Sequence, residues 1–532
     1  MDLHGKSFIG DRLSSGSAEM FHATNPSNST VLPPDFHAAS ESEINAAMEL
    51  AESAFTTFRE TTDEQRAVFL ERIADEIMAL GDELVLRAGA ETGLPEARLV
   101  GERARTANQL KMFAQLMREG SWMDARIDTA IPDRQPVPKP DLRRMLVPIG
   151  PVVVFGSSNF PFAYSVTGGD TASALAAGNP VVVKAHERHP GTSELTAVAI
   201  RRAVVACNLP AGVFSMLHGF GKTVGIALVK HPFTKAVGFT GSRTAGRALF
   251  DAASARPEPI PVFAEMSSLN PVFILPEVLR ERGGQIAEGL KNSITLGAGQ
   301  FCTKPGLVFG CQDAAFEQFQ KSLAQLLETV APTTMLHGGI FESYHKGLAR
   351  LAGIGGVEML ARSKEKPDAA RTQAESVLVC TDAKNFQKHP ELAEEVFGPL
   401  SILIAAPAIS ELEAIARNLE GQLTASVHGT ANDLKNAKGL LQILERKAGR
   451  LIINGFPTGV EVCPSMTHGG PYPATTDARF TSVGTAAYLR FVRPVSYQNF
   501  PAQLLPAALQ NENPLKILRL VNGKLCRDGI AV

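Results

Sequence analysis

Val152-Val-Val-Phe155, Asp170 to Ala177, Gly178-Asn179-Pro180 and Val181-Val-Val-Lys184 read as strand, helix, tight turn and strand. The valine runs are apolar without alternation, which suits strands of a parallel sheet buried on both faces. The pattern continues outward. Ser193 to Cys207 reads as a helix, Phe214-Ser-Met-Leu217 as a strand, Val224 to Lys230 as a helix and Ala236-Val-Gly-Phe239 as a strand. Strand-helix repeats at this spacing imply an α/β fold with a doubly wound parallel sheet, whose ligands bind at the carboxyl ends of the strands. From Met145 to Val183 the only charged residue is Asp170, yet Pro148, Pro151, Pro161 and Pro180 interrupt the stretch. It cannot supply the ~20 continuous helical residues of a membrane span.

Residues 40 to 120 read as helical, with Gly81 at a helix stop and an amphipathic run from Ala97 to Met117. Prolines cluster between Ile131 and Pro151, as in a solvated linker or an edge hairpin. A looser strand-helix alternation runs from Val272-Phe-Ile-Leu275 to about Ile453. At 532 residues there is room for about two to four domains. The 52 basic and 54 acidic side chains nearly cancel, which removes the electrostatic drive towards nucleic acid or an anionic membrane. Six cysteines without a CxxC pair suit free thiols in a reducing compartment, and the N-terminus reads as no signal peptide. The expected location is the cytoplasm, and no metal-ligand pattern is read.

Several positions carry potential chemistry, each with a plainer alternative. Gly241-Ser242-Arg243-Thr244-Ala245-Gly246 follows a strand and opens the helix Thr244 to Ala255. It is either a pyrophosphate cradle or a tight connection. Lys184 and Glu187 are ribose ligands or a surface ion pair. Cys302, in Leu296-Gly-Ala-Gly-Gln-Phe-Cys-Thr303, is a nucleophile held open by a glycine-rich loop or a small buried hydrophobe. Glu265 ends the apolar run from Pro261 and is a poised base or an exposed terminus. Asn159 and Glu395 read alone as a turn former and a surface acid.

Together, Asn159-Phe-Pro161, Ala177-Gly-Asn-Pro180 with Val183-Lys184, Phe239-Thr-Gly-Ser242, Glu265, Gly299-Gln-Phe-Cys302 and Glu395-Val-Phe-Gly-Pro399 resemble the motif series of the aldehyde dehydrogenases. They fall in that family's order across essentially the whole chain. The resemblance implies a coenzyme-binding domain (1–130 and 151–264) and a catalytic domain (265–483). It also implies an oligomerisation hairpin (131–150 and 484–500, its second strand near Tyr488 to Val495), with a C-terminal extension at 501–532. It implies Cys302 as nucleophile, Asn159 with the backbone N–H of Cys302 as oxyanion donors, and Glu265 as general base. NAD or NADP is the implied coenzyme, its contacts Lys184, Glu187, Gly241, Ser242, Glu395 and Phe397. Glu187 favours NAD, whereas Lys222 reaches a 2′-phosphate if its loop turns inward. A homodimer or homotetramer acting on a small aldehyde follows.

The run Glu265-Met-Ser-Ser-Leu-Asn270 departs from the Gly-Gly that follows the base glutamate in many relatives, and Ser157-Ser158 replaces an aromatic. With Thr458-Gly-Val-Glu-Val462 and His468-Gly-Gly-Pro-Tyr-Pro-Ala474, these features resemble the branch that oxidises 2,5-dioxovalerate (α-ketoglutaric semialdehyde). A related branch takes fatty aldehydes with NADP. The resemblance puts Tyr164, Thr167, Phe301, Thr303 and His468 on the substrate pocket, a mixed lining that suits a short oxo-acid. Arg103, Arg105 or Arg479 is the expected cation for its carboxylate. The rival readings are a reductive relative acting on acyl phosphates or thioesters, and a catalytically silent binding protein; the first does not need Glu265.

Overall fold

A computed structural model describes residues 2–530. Its first sheet has seven strands in the order Val262–Glu265, Ala236–Thr240, Val152–Phe155, Val181–Lys184, Phe214–Leu217, Ser7–Ile9 and Arg12–Ser14. The first five are parallel, and the last two form an antiparallel edge that the valine-run pattern does not announce. Side chains alternate between two cores, as strand geometry requires. Val152, Val154, Val181 and Val183 pack under Gly169–Ala176, Pro190–Ala206 and the helices of residues 63–119. Val153, Phe155, Val182 and Val237 pack under Glu41–Phe58, Ile226–Lys230 and Arg243–Ser254. The helix expected from Val224 begins instead at Ile226, after a wide turn over Gly221–Gly225 that carries Lys222.

Residues 41–119 form four helices. Ser40 with Glu43, and Thr62 with Gln65, make reciprocal capping boxes at the first two. Gly81, at φ +57°, ends one helix and opens the next without a loop.

The second sheet also has seven strands: Glu358–Arg362, Val377–Asp382, Leu400–Ala406, Leu307–Cys311, Val272–Ile274, Gln422–His428 and Ala448–Ile453. All but the first run parallel.

The proline-rich region differs from a two-segment hairpin. Residues 131–141 hold only a bridge between Ile131 and Lys139, and the strand is Leu142–Pro148. Its partner is Val492–Gln498, because Thr485–Phe491 is a 3₁₀ helix. Arg126–Asp128, Arg519–Val521 and Lys524–Cys526 complete a five-stranded sheet. The C-terminal segment is therefore part of this sheet. Arg519, fully buried, anchors it by donating to the carbonyls of Ala508, Gln510, Asn511 and Asp528. Among the described residues no helix is long and apolar enough to cross a membrane.

Candidate active site

In the first sheet the chain moves one way from Val152–Phe155, to Val181–Lys184 and Phe214–Leu217, then returns to the opposite side with Ala236–Thr240. That reversal makes a crevice at the carboxyl ends of Val152–Phe155 and Ala236–Thr240. Asn159 follows the first of these strands, Gly241 and Ser242 follow the second, and Glu265 ends the strand beyond it. Beyond Glu265 the chain is caught by residues 474–476: the Met266 N–H donates to the Ala474 carbonyl at 2.7 Å.

The Cys302 loop lies on the other sheet, between the helix Pro276–Thr295 and the strand Leu307–Cys311. Gly297, Ala298 and Gly299 all have φ between 55° and 66°. For Ala298 that conformation costs about 1–2 kcal/mol. A Cβ on Gly299 would lie 2.4 Å from the carbonyl of Gly398, so glycine is needed for this loop to touch the loop after Glu395. Side chains fasten the strained loop. Gln300 donates to the Gly297 carbonyl and accepts from the Leu336 N–H. Asn270 donates to the carbonyls of Cys302 (2.8 Å) and Lys304 (3.1 Å). Asn159 Nδ2 donates to the Gln300 carbonyl at 3.2 Å, which brings the amide to the Cys302 loop across 141 residues of sequence.

His468 lies between Cys302 and Glu265. Its Nε2 is 3.6 Å from Cys302 Sγ, and its Nδ1 is 2.7 Å from Glu265 Oε2. Ser482 Oγ donates to the same Oε2 at 2.5 Å. Burial opposes charge on both Glu265 and His468, but their mutual attraction prevails. His468 is raised well above 6.5, and Glu265 is held below its ordinary value by His468 and Ser482. The pair is a buried carboxylate and imidazolium. Glu265 Oε1 is buried and has no hydrogen-bond partner among the described residues, so it is free to accept from a water. The wall-residue expectation for His468 understates its place, which a lone histidine 166 residues from Cys302 does not betray. The donor atoms of Glu265, Cys302 and His468 lie within 4.8 Å of one another, a cluster that no local metal-ligand spacing announces.

On the far side of Cys302 a cleft of about 980 Å³ runs along Ser242, Arg243, Ser267, Gln387, Glu395 and Phe397. Ser242 caps the helix Arg243–Ser254, accepting from the Ala245 N–H. Gly246 lets that helix sit close to the strand ends, since a Cβ there would lie 2.7 Å from Met266 Sδ. A long cleft with a helix N-terminus at one end and a half-buried carboxylate at the other fits the pyrophosphate and nicotinamide half of a dinucleotide. Burial pushes Glu395 up, against Ser267 and the buried Lys304. Lys304 is itself lowered to about 8 by burial. Lys184, Glu187 and Lys222 do not line this cleft. Lys184 is buried and holds Glu187 at 2.6 Å, not as an exposed surface pair. Burial pushes Glu187 up, but His186 and Lys184 bring it down to about 2. Lys222 is exposed.

Facing the thiol from the other side, Tyr164 packs against Phe160 and His468, and Phe301 sits edge-on to Phe160. Thr167 and Thr303 are buried, their hydroxyls without partners among the described residues. Arg105 reaches the Tyr164 hydroxyl at 3.4 Å. The other two cations expected at the pocket lie elsewhere: Arg103 bonds the Gly81 carbonyl, and Arg479 pairs with Asp477 on the surface. Arg98, over the Phe301 ring, and Arg450, which fastens the loop whose Val460 and Met466 pack against Tyr164, border this region and are marked by no local motif.

Comparison with known proteins adds three findings. The family model described as "Aldehyde dehydrogenase family" matches residues 13–474. The chain is 51% identical over 527 residues to alpha-ketoglutaric semialdehyde dehydrogenase 2 of Azospirillum brasilense, covering 98% of this chain and all of that one. It is 46% identical to alpha-ketoglutaric semialdehyde dehydrogenase of Acinetobacter baylyi, covering 99% of each. Among solved structures, a 1-pyrroline-5-carboxylate dehydrogenase from Thermus with bound NAD superposes with a TM-score of 0.78 at 22% identity, over 93% of this chain and 92% of that one. A 3,6-anhydro-L-galactose dehydrogenase in complex with NADP gives 0.79, also at 22% identity, over 93% and 99%.

Proposed function

The chain belongs to the aldehyde dehydrogenase family, and from that premise we propose that it oxidises 2,5-dioxovalerate to 2-oxoglutarate. It is an enzyme that oxidises aldehydes with a nicotinamide coenzyme. The observation that carries the mechanism is the contact of Cys302 Sγ with His468 Nε2, with Glu265 behind it. The Cys302 thiol releases its proton to solvent, the imidazolium N–H of His468 faces the resulting thiolate, and the thiolate adds to the aldehyde carbon. Asn159 Nδ2 and the Cys302 N–H hold the oxyanion, donors worth several kcal/mol when preorganised. NAD or NADP, when bound, would accept the hydride whose loss turns the Cys302 adduct into a thioester, and Ser242, Glu395 and Phe397 would hold it in the cleft. Glu265 Oε1 then takes a proton from the water that cleaves the thioester.

Glu187, held ionised beside Lys184, accepts from a ribose 2′-hydroxyl and repels a 2′-phosphate, which supports NAD over NADP. The strand Val492–Gln498 pairs on one side only, with Leu142–Pro148, and the open edge supports a dimer or tetramer in which copies pair there. Six free thiols support a reducing, cytoplasmic location. The test is kcat/KM for 2,5-dioxovalerate against pentanal and decanal, with each coenzyme. The dioxo acid is the best substrate on this reading; decanal better by roughly tenfold, about 1.4 kcal/mol, replaces it with a fatty-aldehyde function.

A further inference from the structure

The pocket in front of Cys302 contains more positive charge than the proposed reaction consumes. Three arginines border it. Arg98 is tied to the backbone: it donates to the Asn159 carbonyl at 2.6 Å and lies between the rings of Phe160 and Phe301, at 5.0 and 4.7 Å, with its Nη1 unpartnered among the described residues. Arg105 is two helical turns further along Glu96–Glu119, on the same face. Its guanidinium lies over the Tyr164 ring at 5.3 Å, its contact with the Tyr164 hydroxyl is long, and its Nε has no hydrogen-bond partner among the described residues. Arg450 arrives from the other domain, on the strand Ala448–Ile453. It donates to the carbonyls of Pro457 (2.6 Å) and Gly459 (3.2 Å), neutral acceptors, and its buried Nε is unpartnered among the described residues. The loop that Arg450 fastens at Pro457 and Gly459 continues into Val460, Val462 and Met466, which pack against Ala163 and Tyr164, so Arg450 stands behind one wall of the space that Arg105 borders over the Tyr164 ring.

The acids nearby do not balance these cations. Glu265 is consumed by His468. Glu102, buried, accepts from the N–H groups of Phe162 and Ala163 and attracts Arg98 and Arg105 without a direct ion-pair contact to either, while burial pushes its carboxyl up. No acidic side chain forms a salt bridge with Arg98, Arg105 or Arg450 among the described residues. Buried guanidinium groups without a carboxylate are costly unless a ligand supplies one. Arginine is also the side chain best shaped to hold a carboxylate.

We propose that Arg105 and Arg450, from opposite domains, form the subsite that binds the remote carboxylate of the substrate while its aldehyde carbon faces Cys302. This rests on the reading of the substrate as a short oxo-acid and makes it specific: an aldehyde with a carboxylate at its far end. Arg98 serves a different end, positioning Asn159.

The experiment measures the ratio of kcat/KM for 2,5-dioxovalerate to that for pentanal, in the wild type, Arg105→Gln, Arg450→Gln and the two Arg→Lys variants. Each Gln variant should lower the ratio by roughly tenfold to a hundredfold, mainly through KM for the dioxo acid, and Lys should restore part of it. A second readout needs no turnover and no variant. Glutarate should slow alkylation of wild-type Cys302 by iodoacetamide, whereas pentanol at the same concentration should not. Unchanged ratios in both Gln variants, or no protection by glutarate, overturn the subsite. If the wild type prefers decanal, the substrate reading fails instead. The subsite is then judged by succinic semialdehyde against butanal in the same variants, where a ratio lost on Arg→Gln upholds it and a ratio unmoved overturns it.

Discussion

The two seven-stranded sheets present their functional residues at opposite ends. In the first, Asn159, Ser242 and Glu265 stand at or just beyond the carboxyl ends of strands. In the second, Cys302 precedes Leu307–Cys311, Glu395 precedes Leu400–Ala406, and Ser267 and Ser268 precede Val272–Ile274. The carboxyl end of one sheet thus faces the amino end of the other, and the chemistry lies in the seam. The first sheet follows the usual rule for doubly wound folds; the second inverts it because its loops must reach back. The inverted side needs left-handed backbone at residues 297–299 and a glycine-on-glycine contact at Gly299 and Gly398, whereas the first side needs ordinary strand-to-helix turns.

The comparison breaks hardest at Cys302, the proposed nucleophile. Cys302→Ala should remove detectable aldehyde oxidation while coenzyme binding, measured by protein fluorescence quenching, persists, since the cleft is lined by other residues. Near-normal turnover in this variant would falsify the division of labour between the two sides. Glu265→Gln, on the first side, should cost roughly 10²–10⁴ in kcat and leave an acyl-enzyme visible by intact mass. A variant that hydrolyses the thioester at the wild-type rate moves the base elsewhere.

His468→Gln tests the link across the seam through pH. A raised histidine contributes stability in full below its unfolded value of 6.5, and that contribution fades as pH rises through its higher folded value. A lowered glutamate contributes in full above its unfolded value of 4.5, and loses it as pH falls through its lower folded value. The gap in Tm between wild type and His468→Gln should therefore be widest from about pH 4.5 to 6.5 and shrink on either side. At its widest it should correspond to about 3–5 kcal/mol, the usual cost of breaking a buried pair. A gap independent of pH shows that the pair is not ionised.

Gly299→Ala probes the strained side. A methyl group 2.4 Å from the Gly398 carbonyl, at φ +66°, should lower stability by about 1–3 kcal/mol and reduce kcat, as the Cys302 and Glu395 loops separate. Gly241→Ala, whose new Cβ meets only the Phe239 ring at negative φ, should be milder. Equal losses would show that the glycine contact is no special constraint. The smallest effect is expected at Glu187→Gln, which should raise the NADP-to-NAD ratio of kcat/KM roughly tenfold. No movement in that ratio removes Glu187 from the ribose contact.

Legibility followed the same division. The first sheet is readable because Val152–Phe155 and Val181–Lys184 are short apolar runs without alternation, with glycine and proline marking the turns. Its antiparallel edge, Ser7–Ile9 and Arg12–Ser14, is not, since three-residue strands offer too few positions for a pattern. The C-terminal strands Arg519–Val521 and Lys524–Cys526 escape for the same reason. In the site, Cys302 is legible through its glycines, whereas the part played by His468 is not.

The sequence by itself determined the strand-and-helix alternation, the order of the motifs and the identity of the residues that stand at strand ends, because each depends on spacing within a few residues. Only the tertiary structure decided that His468 meets Glu265 across 203 residues and Cys302 across 166. It alone brought Arg105 and the loop fastened by Arg450 to opposite walls around Tyr164 while sending Arg103 and Arg479 away. The reason is physical. Periodicity specifies which face of an element is apolar, but the partner of a buried charge is set by packing between elements, where desolvation makes any unpaired arrangement expensive.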